Sequence, residues 1–415
     1  MKVLIVNTIL MGDKSATGTT MKNMLYKMPD VEFRQYCIDY RIKDHAQLVD
    51  TIFMDIKDAY IDKVIAKLKK KKNSVDNHPK AVISQAQNAS GFGEFLHGMV
   101  DCWPAHISKE NWKYIREFAP DLIYTMGGGI RVMNQAIKIA RRLRRPIVFH
   151  CMDDWRSTMY TGSALSRPFN KVLNHQLKKI HKYCKYNLGI GKKMAEYYTS
   201  EYGVPYSYAS NCVFEFNDIP YQSNNDDCIR IIFSGGLHFH RGETLLEVAA
   251  LIEQLNLEGM AFELEVFAPP KQVQVYQERF QKFEHTKLFP YVPQEEQAVN
   301  LKRADILLHV ESFENTDIEY MKYSFSTKLV EYFAVGRAVI GLGSKELASI
   351  EYIAERECGW TADTIASLSK VLKTAYQKAD MREQYARNAL NVAKGNHSQK
   401  AIQDRIYQLF CDVVK

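Results

Sequence analysis

Apolar and polar positions along the chain take two recurring forms: short apolar runs, and longer segments in which apolar residues return every third or fourth position. The run Lys2 to Val6 predicts a strand buried on both faces. The small-residue loop Met11-Gly-Asp-Lys-Ser-Ala-Thr-Gly18-Thr-Thr20 then leads into a helix over Met21 to Met28. Strand, glycine-bearing loop and helix in that order open a doubly wound parallel sheet. The segment Asp44 to Lys72 predicts a helix, with apolar residues at Leu48, Ile52, Phe53, Ile56, Tyr60, Val64, Ile65 and Leu68, and Lys71 to Phe95 reads as a loop. After a helix at Lys109 to Phe118, Ala119-Pro-Asp-Leu-Ile-Tyr-Thr-Met-Gly127-Gly-Gly129 predicts a strand closed by glycines before a helix from Arg131 to Arg145. Pro146-Ile-Val-Phe-His150 is the next strand, and Ser207 to Val213 closes this half.

Phe214 to Asp227 is the most turn-rich run, and the strand-loop-helix pattern starts again beyond it. Strands are expected at Ile229 to Ser234, Phe262 to Phe267, Lys287 to Val292 and Asp305 to Val310. Ser326 or Thr327 is placed to cap a helix over Lys328 to Ala334, Gly336 ends it, and Ala338-Val339-Ile340 is a further buried strand. Amphipathic helices fill the end of the chain. The fold expected is α/β, two Rossmann-like doubly wound domains facing across a cleft, with residues 1–213 as the first, 214–228 as a linker, 229–395 as the second, and a terminal helix over 396–415.

Composition narrows the class. The 415 residues are 46% hydrophobic and 25% charged, which suits two or three globular domains rather than a disordered chain. The apolar run after Met1 is too short for a signal peptide and no run reaches eighteen apolar residues, so a cytosolic protein is expected. The eight cysteines form no Cys-x-x-Cys pair, which argues against a zinc knuckle or redox dithiol, and no metal site is expected. The formal charge of +7 is concentrated in Lys67-Leu-Lys-Lys-Lys-Lys72 and Arg141-Arg-Leu-Arg-Arg145. These read either as solvated helix ends or as a patch for an anionic membrane at its inner face; no aromatic residues interleave them, which disfavours nucleic acid.

Candidate chemistry gathers at predicted strand ends. His150, Asp153, Asp154 and Trp155 follow a buried strand, where carboxylates can accept from sugar hydroxyls and indole can stack on a pyranose. Gly12, Gly18 and Gly128 are positions where backbone can approach a ligand, or plain turn residues. In the second half, the loop before Lys328 offers free amides and a partial positive charge to a phosphate, and Glu331 lies one turn further on, within reach of a ribose hydroxyl.

Over nearly the whole chain, weakly before Pro120 and best between Ile229 and Gly341, the order of residues resembles the GT-B fold glycosyltransferases, closest to the family-four retaining enzymes that use nucleotide sugars. Ala304-Asp305-Ile-Leu-Leu is similar to that family's "a-D-v-l-v" strand. Thr327-Lys-Leu-Val-Glu331-Tyr-Phe-Ala-Val-Gly336-Arg-Ala-Val-Ile is similar to its "x-K-l-x-E-y-x-A-x-G-x-P-V-I" signature. The resemblance implies that Glu331 binds ribose, that Ser326 and Thr327 bind the diphosphate, and that the backbone at Tyr291 and Val292 binds the base. It also implies a last helix that crosses back to the first domain. In place of the family's "G-R-l-x-x-x-K-G" loop stands Gly235-Gly236-Leu-His-Phe-His-Arg241-Gly242, so Arg241 matches the Lys and Gly236 replaces the Arg. Tyr323 stands where the family has a Glu that contacts the donor sugar, and Glu311, Glu314, Asp317 and Glu319 are nearby acids able to take that contact.

The resulting expectation is transfer of a sugar from a nucleoside diphosphate donor to a saccharide or lipid-linked acceptor, with no separate cofactor. Arg241 and Lys328 would meet charge on the departing diphosphate. With retention the leaving phosphate takes the acceptor's proton; with inversion Asp153 is the candidate base. A nucleotide-sugar 2-epimerase and a non-catalytic nucleotide-sugar binding protein are the alternatives on the same fold.

Overall fold

The computed structural model describes residues 1–55, 91–217, 219–222 and 228–415. Lys67–Lys72, and most of the helix and loop expected over 44–95, lie outside the described residues. The chain divides into two compact units, Met1–Ser210 with Gln403–Lys415, and Asn211–Ile402.

The first unit runs β1 (Lys2–Asn7), α1 (Ala16–Leu25), β2 (Glu32–Cys37), β3 (Asp50–Phe53), α2 (Gly91–Cys102), α3 (Lys109–Phe118), β4 (Leu122–Thr125), α4 (Ile130–Leu143), β5 (Ile147–Cys151), α5 (Trp155–Thr158), α6 (Arg167–His181), β6 (Asn187–Gly189), α7 (Lys192–Tyr202) and β7 (Tyr206–Tyr208). Its strands form one parallel sheet in the order β3-β2-β1-β4-β5-β6-β7. Val3, Leu4, Ile5 and Val6 of β1 are fully buried, as the unbroken apolar run requires when helices cover both faces of a sheet. On α3, Trp112, Ile115 and Phe118 return at helical spacing and are the residues it buries.

The second unit runs β8 (Cys228–Ser234), α8 (Arg241–Leu257), β9 (Ala261–Ala268), α9 (Pro270–Phe280), β10 (Thr286–Pro290), α10 (Gln294–Lys302), β11 (Ile306–Val310), α11 (Asn315–Met321), α12 (Thr327–Val335), β12 (Ala338–Leu342), α13 (Ala348–Glu355), β13 (Gly359–Ala362), α14 (Ile365–Gln377) and α15 (Ala379–Asn396). Its sheet is also parallel, in the order β10-β9-β8-β11-β12-β13. A last helix, α16 (Gln399–Val414), carries the chain into the first unit. There Gln403 Nε2 donates to the Tyr26 carbonyl at 3.2 Å and Phe410 meets the Tyr124 ring.

Both sheets reverse their strand order once, between β1 and β4 and between β8 and β11. In open α/β sheets ligands bind outside the carboxyl ends of the strands at that reversal.

Two expectations on local structure are corrected. Asp50–Phe53, assigned to a helix by its apolar spacing, is strand β3, paired in register with Arg34 to Cys37 of β2; the sheet edge overrides a marginal helical period in a run that includes Thr51 and Ile52. Gly91 to Phe95, read as loop, begins α2.

Candidate functional site

In the second unit, β8 ends at Ser234 and its continuation enters α8 at Arg241. Gly235 donates its N–H to the Phe267 carbonyl at 3.1 Å, and a Cβ on Gly236 would fall 2.4 Å from the His238 ring, so a side chain there would have to displace that imidazole. Phe239 and His240 both take left-handed backbone conformations, φ +55° and +53°, immediately before Arg241. For residues with side chains this conformation is strained, and the strain sets the entry of α8.

Arg241 is held from across the strand reversal. Its Nε donates to Glu311 Oε2 at 3.2 Å and its Nη2 donates to the same oxygen, while His309 Nε2 lies 2.9 Å from Oε1. Glu311 follows β11 directly and is 4% exposed. Burial alone would raise its pKa, but the Arg241 charge and His309 outweigh it and bring the carboxyl down to about 2. The Arg241 Nη1 amine has no partner among the described residues, which leaves two N–H donors for an anion.

Tyr332, buried in α12, joins this loop to the next element: its hydroxyl accepts from Ser234 N at 2.7 Å and donates to Ser234 O at 3.3 Å. One residue earlier on α12, Glu331 is half-buried and pairs with Lys328 Nζ at 2.9 Å. Tyr291, after β10, feels the same groups. Burial first, then the Glu331 charge, pushes its hydroxyl up to about 12 against the opposing effect of Arg241. Arg241 at the start of α8, Lys328 and Glu331 on α12 and Tyr291 after β10 thus lie within electrostatic reach of one another. Val292, half-buried, follows Tyr291.

The loop before α12 is pinned by packing. Phe325 stacks on His397 and meets Tyr352 edge-on, and Ser326 N donates to Ser349 Oγ at 3.0 Å. Ser326 occupies the N-cap position, but its side chain makes no cap bond, which corrects the expected hydroxyl cap. Its backbone is committed to α13, and the first-turn amides of Thr327 and Lys328 are left without that acceptor. Gly336 ends the helix in a left-handed conformation, φ +67°, as its position predicts. Tyr323 lies half-buried in the turn between α11 and α12. Among the acids considered for the sugar contact, Glu311 is committed to Arg241, Asp317 lies 2.8 Å from His240 Nδ1, and Glu314 and Glu319 are exposed.

The first unit treats its candidates differently. His150 is fully buried: Nδ1 accepts from the Tyr124 hydroxyl at 2.6 Å and Nε2 donates to the Ala209 carbonyl at 3.0 Å. Burial lowers its pKa to about 4, so it is a neutral core residue, not a ligand contact. Asp154, 3% exposed, is likewise occupied, accepting from Tyr198 at 2.5 Å on Oδ1 and from Ser157 on Oδ2. Gly12 and Gly18 bond to each other at 2.9 Å; a Cβ on Gly12 would meet Leu48 at 2.4 Å, and one on Gly18 the Asp13 carbonyl at 2.7 Å. Their close approach is to the protein itself.

At the glycines after β4, the neighbour is Asp101 of α2. Its carboxylate accepts from the amides of Ile130 at 2.7 Å and Arg131 at 3.0 Å and from the Tyr160 hydroxyl at 2.8 Å. The helix end that could hold an anion already holds one. Among the described residues only Trp155 lies near the missing Cβ of Gly128, φ +79°, at 3.9 Å. Asp153 and Trp155 are half-buried just after β5, and the Trp155 indole N–H is buried without an acceptor among the described residues. Asp101 belongs to no motif; its only sequence signal is an acid near the end of a mostly apolar helix.

Among the described residues no group of three or more His, Cys, Asp or Glu is arranged to hold a metal ion, and no helix is long and apolar enough to cross a membrane.

No protein-family model matches the chain, and no curated protein does. Solved structures do. HepE from Anabaena in complex with UDP aligns at 12% identity with a TM-score of 0.61, covering 99% of this chain and 100% of that one. A glycosyltransferase from Rickettsia africae aligns at 11% identity and 0.61, covering 100% and 98%. The lipopolysaccharide outer core galactosyltransferase WaaB aligns at 12% identity and 0.60, covering 99% of each. At such identities the likeness establishes the fold, which is GT-B.

Proposed function

We propose that the protein is a glycosyltransferase that takes a sugar from a nucleoside diphosphate donor bound in the second unit. The observation that carries this is the buried Glu311 holding Arg241 at the β8/β11 strand reversal with Nη1 left open, beside Glu331 and the uncapped start of α12. A diphosphate at this point meets a fixed guanidinium, the Lys328 ammonium and helix-end amides, which stabilise the charge that grows as the sugar leaves. Glu331 accepts from ribose hydroxyls, and the backbone at Tyr291 and Val292 borders the base. Several structures of the same fold carry UDP or UDP-glucose, as in the HepE complexes, which supports UDP as the first nucleotide to try.

The first unit supplies the acceptor side, with Asp153, Trp155 and Gly128 as its contacts. Transfer proceeds with retention, the departing phosphate taking the acceptor's proton. WaaB and WaaG, both named for lipopolysaccharide synthesis, support a lipid-linked saccharide acceptor and a role in cell-surface polysaccharide synthesis. Arg141, Arg142, Arg144 and Arg145 are exposed at the end of α4, where an anionic lipid surface would attract them. Vesicle sedimentation unchanged by Arg144→Gln and Arg145→Gln together would remove that part of the reading.

The function is tested by thermal stabilisation with a panel of nucleotide sugars, since a ligand bound only by the folded state raises the Tm. At least one nucleoside diphosphate sugar is expected to raise it, and Glu331→Ala to abolish the rise. No shift with any member would refute the reading. A shift without transfer to any acceptor in a lysate would point to a binding protein, and an epimerised nucleotide sugar to an epimerase.

A further inference from the structure

His97 is half-buried on α2, one turn before Asp101, and no motif singles it out. Its Nδ1 lies 3.2 Å from the Tyr160 hydroxyl, whose single proton is donated to Asp101 Oδ2 at 2.8 Å. With that proton spent on a carboxylate, the Tyr160 oxygen can only accept from His97. The ring must therefore carry its hydrogen on Nδ1 and a lone pair on Nε2. Nε2 has no hydrogen-bond partner among the described residues.

We propose that His97 Nε2 receives a hydroxyl of a saccharide acceptor, its tautomer set by the chain from Asp101 through Tyr160. The placement supports that ligand class. Asp101 also binds the amides that open α4, so His97 stands at the β1/β4 reversal, where ligands of such sheets bind. A Cβ on Gly129 would lie 2.8 Å from Asp101 and one on Gly128 3.9 Å from Trp155, so successive glycines are flanked by this chain and by the indole. An indole face, the Asp153 carboxylate and a neutral imidazole lone pair are the groups that bind a ring bearing hydroxyls.

The histidine is also held rigidly. Glu94, one turn earlier on α2, accepts from Ser166 Oγ at 2.5 Å and from Gly162 N at 3.3 Å, and the His97 ring lies 5.6 Å from that of Tyr160. Asp101, Glu94, Arg131 and Arg41 are the charges around it; burial dominates and lowers its pKa, which keeps the ring neutral near pH 7.

This rests on the reading of the first unit as the acceptor side, and the experiment separates the two. The full chain, labelled with ¹⁵N in its histidines, is examined by NMR near neutral pH. UDP-glucose is the donor probe, and methyl glycosides of glucose, galactose and mannose are the acceptor probes. The resonances lost in His97→Ala are expected to show the Nδ1–H tautomer. In Tyr160→Phe, which keeps the ring packing, His97 should revert to Nε2–H, a change that a merely space-filling histidine would not show. At least one glycoside should move the Nε2 resonance. Where transfer is measurable, Tyr160→Phe and His97→Ala should raise the KM for that glycoside about tenfold, the loss of one hydrogen bond, with stabilisation by UDP unchanged. An Nε2–H tautomer in the unaltered protein, or a glycoside that binds without moving Nε2, overturns the proposal. If the unaltered protein neither binds UDP nor transfers sugar, the functional reading fails; the glycoside titration of His97 then still decides, a shift supporting the site and its absence overturning it.

Discussion

The starts of α4 and α12 are alike in placement, each a helix entered from a loop in a doubly wound sheet, yet they end in opposite states. At α4 a buried protein carboxylate, Asp101, sits on the first amides. At α12 the N-cap hydroxyl makes no such bond, and the first turn carries the Lys328 cation, paired with Glu331. A helix N-terminus attracts an anion in either case. Whether it is a binding site depends on whether the chain has already supplied the anion. The same contrast extends through the units: His150, Asp154 and Asp101 are satisfied within the first, while Arg241 and the α12 amides of the second retain capacity for a partner.

Acid should separate the two units most. His150 and His181 are buried neutral, with pKa values lowered to about 4 by burial. The unfolded chain binds these protons first, near pH 6.5, so stability falls as pH drops from 6.5 to 4, by roughly 2–3 kcal/mol for each histidine. Glu311 loses stabilisation in the same direction but in a lower window: its contribution is intact above the unfolded carboxyl range and is lost only as pH falls toward about 2. Hydrogen exchange of the full chain at pH 4.5, corrected for intrinsic rates, should show β5 losing protection while β11 keeps it. Equal loss would break the contrast.

Cap removal should give the next largest difference. Asp101→Ala strips three donors of a buried charged acceptor and is expected to cost about 3 kcal/mol in urea unfolding. Ser326→Ala removes no side-chain bond and should stay within about 0.5 kcal/mol. Similar losses for both would mean that α12 is capped as α4 is.

A smaller effect is expected from Glu311→Gln, which preserves shape but loosens the guanidinium. UDP should bind about tenfold more weakly, one charge-assisted bond's worth. Tighter binding would mean that Glu311 competes with the diphosphate rather than positioning its partner.

How much of this was legible in the sequence follows from the range of the interactions. The buried strands β1, β4, β5, β8, β11 and β12 declared themselves as apolar runs, and Gly336 as a helix stop, because those signals are local. β2 was missed and β3 read as helix, since Arg34 and Gln35 interrupt one and only pairing between them defines the other. His150 was grouped with Asp153 by adjacency, but on a fully buried strand its side chain goes to Tyr124 and Ala209. Asp101 and His97 act on Ile130 and Tyr160, and Glu311 on Arg241, at separations that no local motif spans. In the second unit the sequence pointed to Arg241, and to Glu311 only as an acid for the donor sugar, not as the carboxylate that holds Arg241.

The central claim, that the second unit is built to take a nucleoside diphosphate, is tested most directly by calorimetric titration of UDP into the intact protein and into Arg241→Ala and Glu331→Ala. Measurable binding by the unaltered chain, weakened at least tenfold in each variant with folding intact, is the predicted result. Binding undiminished in both variants, or absent from the unaltered protein for UDP and for every other nucleoside diphosphate, would contradict it.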